Sequence, residues 1–153
     1  MAGRAGDVRL AAWWKLMAAH ARVVQSVGHD LEVAAALPLV SFNVLRVLRE
    51  APGSRLRLGE LARAVLLTRS GATRLTGRLE RAGLLRRESH ARDLRGSYAV
   101  LTDRGRQEWS RAREVFERSV AEQFGSHLSD AESRTLAAIL GRIATADTGG
   151  DSR

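Results

Sequence analysis

Arginine is the side chain best suited to grip a phosphate or the edge of a guanine, because its planar fork donates two parallel hydrogen bonds. Residues 69–106 hold ten: Arg69, Arg74, Arg78, Arg81, Arg86, Arg87, Arg92, Arg95, Arg104 and Arg106. Only Glu80, Glu88, Asp93 and Asp103 oppose them, so this stretch carries +6. Residues 1–68 carry +4 and residues 107–153 carry −2, so most of the net +8 sits in one place. Clustered positive charge suits a polyanion. A solvated face on an arginine-rich chain gives the same count, Lys15 being the sole lysine, so charge alone leaves both readings open.

Spacing says more. Ala72, Leu75 and Leu79 recur at helical intervals, which predicts a helix over about Arg69 to Ala82 with its apolar side inward. Its outer side then carries Arg69, Ser70, Thr73, Arg74, Gly77 and Arg78, with Thr68 as the N-cap. Short hydroxyl residues at a helix start let backbone amides approach phosphate. Arg74 has the reach for a bidentate contact with guanine. Gly71 and Gly77 each cost about 1 kcal/mol against alanine, and either close approach to DNA or codon bias accounts for them. Gly83 stops the helix. Two strand-like runs follow, Leu84–Glu88 and Ser97–Leu101, around a charged loop Ser89–Gly96. A helix with a basic face running into a basic hairpin is the layout of a winged helix-turn-helix, which meets duplex DNA through the helix and the hairpin tip.

These parts need a frame. Val8 to Val27 reads as a long helix, with Gly28 able to loosen or bend it and Asp30–Ala36 helix-friendly again. Its apolar residues cover more than one face, as expected of a helix shared with a partner subunit. Pro38 opens a helix to about Glu50, with Phe42, Leu45, Val47 and Leu48 inward. A turn at 51–54, a short strand at Arg55–Leu58 and a short helix at Leu58–Val65 come next. Thr102 caps a helix from Asp103 to about Phe124. Ser129 and Glu132 form a capping box for a last helix with Leu136, Ile139, Leu140 and Ile143 inward. The fold class is therefore mainly α with a small β-wing. A dimerisation helix (1–36), a winged-helix core (37–101), C-terminal dimerisation helices (102–147) and a flexible tail (148–153) are intertwined in one domain. A homodimer is the economical way to cover the terminal helices.

The element order and two motifs resemble the MarR family, the multiple-antibiotic-resistance regulators. The first is Asp93-Leu94-Arg95, then Gly96-Ser97-Tyr98-Ala99-Val100, then Leu101-Thr102-Asp103-Arg104-Gly105, which matches D-x-R, five residues, L-T-x-x-G. The second runs from Thr68-Arg69-Ser70-Gly71-Ala72-Thr73-Arg74-Leu75 to Leu79-Glu80-Arg81-Ala82-Gly83-Leu84 and is similar to the family's recognition helix. The likeness covers residues 8–146. Many relatives have D-R-R-G where Leu94 stands here, which removes one phosphate contact. The resemblance implies that Asp93 aims Arg95 into a narrow minor groove; the alternative is a surface ion pair of little worth. The expected DNA-binding set is Thr68, Arg69, Ser70, Thr73, Arg74, Arg78, Arg92, Asp93 and Arg95. Arg81, Arg86 and Arg87 fit either phosphate contacts or solvated charges.

The resemblance also implies a small-molecule pocket between dimer helices and core. Trp13, Met17, His20, Phe42 and Arg46 are its candidate lining, suited to an aromatic or carboxylate-bearing effector. Trp14 and Met17 fit a dimer core rather better, and Trp13 and His20 fit either. The chain has no cysteine, which excludes disulfides and thiolate metal sites. His20, His29, His90 and His127 lack ligand spacing, so no metal is expected. No phosphate-binding glycine loop or nucleophile motif occurs, so neither cofactor nor enzymatic activity is expected. No apolar run reaches membrane-spanning length and no signal-peptide layout is present, the reading being of a cytoplasmic chain. The expected function is a homodimeric, ligand-responsive repressor on a pseudo-palindromic operator. The alternative is an effector-free architectural winged-helix protein of low sequence specificity.

Overall fold

In a computed structural model, which describes residues 3–89 and 97–145, six helices surround a three-stranded antiparallel sheet. The helices are α1 (Gly3–Ala35), α2 (Leu39–Glu50), α3 (Leu58–Ala64), α4 (Arg69–Arg81), α5 (Asp103–Gln123) and α6 (Asp130–Thr145). The strands are β1 (Arg55–Arg57), β2 (Leu85–Ser89) and β3 (Ser97–Leu101), in spatial order β1-β3-β2. This is the mainly helical winged-helix class expected. No single helix among the described residues is long and apolar enough to cross a membrane.

Gly28, where α1 could loosen or bend, lies inside one continuous helix that runs on through Asp30 to Ala35. A mid-helix glycine costs about 1 kcal/mol, and burial of Val27, Leu31 and Ala35 on either side offsets it. The helix ends at Ala35, and the next residue, Ala36, takes the left-handed conformation (φ 52) while Leu37 donates back to the Leu31 carbonyl at 3.4 Å. Pro38 follows as the N-cap of α2. Only the C-terminal part of α1 enters the core. Its N-terminal part stands clear of it, with Trp14 63% exposed. Polar ties hold α1 to α5: Ser119 Oγ donates to Asp30 at 2.5 Å, and Arg22 donates to the Gln123 carbonyl at 2.9 Å.

The core gathers Leu31, Phe42, Leu45, Leu48, Leu61, Leu75, Leu79, Leu85 and Leu101. On α2 the buried stripe includes Ser41 and Val44, and Val47 sits at its edge, half-buried. Phe42 stacks between Trp109 and Phe116 of α5, at centroid distances of 6.2 and 4.7 Å. On α6 the expectation of inward packing fails within one protomer. No residue of α6 is buried, and Ile143 is 63% exposed. The capping box holds: Glu132 accepts from both the backbone N–H and the hydroxyl of Ser129, and Ser129 Oγ accepts from Glu132 N. Those donated bonds hold the Glu132 carboxyl below its ordinary range.

Candidate nucleic-acid interface

The helix-turn-helix is α3, a turn and α4. The turn needs one left-handed residue, and Leu66 takes it (φ 55) with its side chain in solvent, while Leu67 donates to the Ala62 carbonyl at 2.9 Å. A leucine in that conformation is strained relative to glycine. Thr68 then caps α4 as expected, its Oγ1 accepting from Gly71 N at 3.1 Å. Ala72, Leu75, Thr76 and Leu79 are buried against the core. Thr76 is a polar residue in that stripe, satisfied by donating to the Ala72 carbonyl at 2.9 Å.

Burial of that stripe turns Arg69, Ser70, Thr73, Arg74 and Arg78 outward, and all five are exposed. No ion pair holds Arg69, Arg74 or Arg78 among the described residues. The helix stands between two open grooves. One, of about 670 Å³, runs along Val40, Leu67, Arg74, Arg78 and Arg81. The other, of about 490 Å³, is bounded by Arg57, Arg63, Arg69, Thr73 and Ser97. Sequence reasoning passed over Arg57 and Arg63, which belong to no motif. Only the packing of β1 and α3 beside α4 brings them to Arg69.

The end of α4 is a Schellman turn. Gly83 is left-handed (φ 71), its N–H donates to the Glu80 carbonyl, and Leu84 N donates to the Leu79 carbonyl, both at 2.9 Å. Leu84 is thereby used in the turn, so β2 begins one residue later than expected. The L-T-x-x-G segment locks onto this turn. Thr102 Oγ1 donates to the Gly83 carbonyl at 2.7 Å and accepts from Gly105 N at 3.0 Å, while Thr102 N donates to the Leu84 carbonyl at 3.2 Å. The two sequence motifs are thus two halves of one joint, which fixes α4 and the hairpin to α5.

The hairpin pairs Leu85 with Leu101 and Ser89 with Ser97, and so extends as a wing beside α4. Arg92, Asp93 and Arg95 lie outside the described residues. Arg86 and Arg87 are held in ion pairs, with Glu88 at 2.6 Å and Glu80 at 3.0 Å. Across the sheet, the guanidinium groups of Arg55 and Arg57 lie 4.2 and 5.2 Å from the Tyr98 ring centre.

The five candidate ligand residues are not brought together in the protomer. Phe42 is 1% exposed inside the core and has no surface to offer a ligand. Arg46 pairs with Glu50 on its own helix at 2.9 Å. Trp13 is half exposed, Met17 is partly buried and His20 is exposed. His20 instead edges an apolar groove of about 530 Å³ between α1 and α6, with Lys15, Leu16, Phe124, Leu136 and Leu140. Among the described residues, no three His, Asp or Glu side chains gather as a metal site.

A profile described as MarR family matches residues 37–96. Sco3205 from Streptomyces coelicolor, a MarR family transcriptional regulator solved in complex with DNA, is 30% identical, with a TM-score of 0.81 and 88% of each chain covered. AbsC, a MarR family regulator from the same organism, is 28% identical, with a TM-score of 0.81 over 90% of this chain and 93% of its own. The repressor CouR bound to a 23-mer DNA duplex is 25% identical, with a TM-score of 0.78 over 91% of this chain and 96% of its own. CouR has also been solved bound to p-coumaroyl-CoA, a form 24% identical to this chain, with a TM-score of 0.73 over 88% of this chain and 91% of its own. No curated protein matches the sequence.

Proposed function

Because the chain belongs to the MarR family of transcriptional regulators, we propose that it is a homodimeric repressor that binds a pseudo-palindromic operator. The observation that carries this reading is α4: a buried apolar stripe on one side and, on the other, an exposed row of Arg69, Arg74 and Arg78 with no ion-pair partner among the described residues. A helix so presented enters a major groove, and Arg92 and Arg95 of the wing reach the neighbouring minor groove. Asp93 aims Arg95. Thr68, Ser70 and Thr73 approach the phosphates. Two relatives of this fold, Sco3205 and CouR, have been solved on DNA.

The dimer reading is supported by apolar surface that one protomer leaves open: Val8, Leu10, Trp13 and Trp14 on α1, and Ile139 and Ile143 on α6. Two α4 helices about one turn of DNA apart then match a two-fold site. Mobility shift with DNA flanking the chain's own gene tests the whole reading. A preference over random duplex on the order of a thousand-fold is expected, together with a light-scattering mass twice that of the chain. A monomer mass with a folded spectrum, or equal affinity for both DNAs, would favour the architectural alternative.

The effector reading rests on the apolar groove between α1 and α6, whose rim carries His20 and Lys15. An aromatic acid fits there, its ring on Leu16 and Phe124 and its carboxylate toward the Lys15 ammonium and the His20 ring. Bound more tightly by the DNA-incompetent state, it shifts the two reading helices and releases DNA. Acids that release DNA are expected to change the emission of Trp13 and Trp14, and to lose potency on His20→Ala. Release without either effect rules out this groove.

A further inference from the structure

The geometry points to Glu80 and Arg87 as positioning residues that set the angle between α4 and the β2–β3 hairpin, with Gly77 as the seat on which the arginine lies. This rests on α4 being the DNA-reading helix. One carboxylate oxygen of Glu80 accepts the backbone N–H of Arg87 at 3.1 Å, and the other accepts its guanidinium Nε at 3.0 Å. Strand β2 is an edge strand, so this N–H faces away from the sheet and toward the helix. Glu80 therefore acts as one more rung, joining the helix to the strand edge. One turn earlier, a Cβ at Gly77 would lie 2.9 Å from a terminal guanidinium nitrogen of Arg87. The arginine thus lies along α4 from Gly77 to Glu80, and fixes both the rotation and the height of the helix against the wing.

Stability does not account for the pair. Its side chains are 34% and 40% exposed, a setting in which an ion pair contributes little. Charge does not account for Glu80 either, because a carboxylate on a DNA-facing helix repels phosphate. What remains is geometry. The helix and the wing meet two grooves of one duplex at once, and only one angle between them satisfies both. Loss of that angle removes base contacts and leaves non-specific attraction intact.

Glu80→Ala in the full chain, titrated against DNA flanking its own gene and against random duplex, reads this directly. Affinity for the specific site is expected to fall roughly tenfold. Affinity for random duplex is expected to hold or rise, since a negative charge is gone, and the melting temperature to stay close to the parent's. Gly77→Ala should lower the same ratio less than Glu80→Ala, because its Cβ meets only the movable end of Arg87. Glu80→Gln keeps an oxygen for the Arg87 N–H and should recover part of the ratio. A purely structural role would lower the melting temperature and leave the ratio unchanged. Specific binding by Glu80→Ala and Gly77→Ala as tight as the parent's overturns the positioning role. Arg74→Ala separates the two levels: if it too binds the specific site normally, the reading of α4 itself is wrong.

Discussion

Gly105→Ala is expected to destabilise the fold by about 3 kcal/mol. A Cβ at Gly105 would overlap the Leu84 carbonyl oxygen and stand 2.7 Å from Leu101 Cδ1. The first obstacle is backbone and cannot swing aside. That oxygen is also the acceptor for Thr102 N, and the adjacent Gly83 carbonyl accepts from Thr102 Oγ1 at 2.7 Å. Pushing Leu84 away therefore pulls apart the joint that fixes the end of α4 to the start of α5. Helix propensity opposes this loss by only about 1 kcal/mol. Gly141→Ala is the control: its Cβ meets nothing within 4 Å, so it should be neutral or gain up to about 1 kcal/mol. Urea unfolding of both variants decides it. A Gly105→Ala midpoint equal to the parent's would show that α5 moves freely on the hairpin.

That joint also shows how far the sequence alone reaches. Local rules recovered the capped start of α4, its Ala72, Leu75 and Leu79 stripe, and its stop at Gly83, because each depends on residues within a turn or two. Both motifs were visible as strings. That Thr102 bonds to Gly83, 19 residues earlier, is a tertiary fact with no local signature. Gly28 is a similar case, since its local cost is set against burial of Val27 and Leu31, which depends on α5 and the core. Phe42 read as a ligand wall because aromatic residues suit both roles. Its stacking between Trp109 and Phe116 depends on where α5 passes. On α6 the apolar spacing was legible, but spacing does not say which molecule covers it. Arg86 and Arg87 looked like Arg74 and Arg78 in composition. Their acidic partners at 88 and 80 set them apart, and at 80 the pairing crosses from strand to helix.

Arg74→Ala is expected to weaken binding to the specific site by roughly tenfold to a hundredfold, the worth of one bidentate guanine contact. Arg74 is exposed on the reading face, beside the larger of the two grooves, and no described residue competes for its guanidinium. Its removal should leave unfolding unchanged, because the side chain packs on nothing in the core. The salt dependence identifies what it touches. An arginine on a base edge displaces few counterions, so log K against log salt should keep nearly the parent's slope while the specific affinity falls. An arginine on phosphate would lower the slope by about 0.9 and weaken every sequence alike. Equal weakening on specific and random duplex would therefore move Arg74 from reading to anchoring. Arg69, which borders the smaller groove with Arg57 and Arg63, is expected to behave in that second way. A pair of titrations on Arg69→Ala and Arg74→Ala, each over a salt series, distinguishes the end of α4 that holds the duplex from the part that reads it.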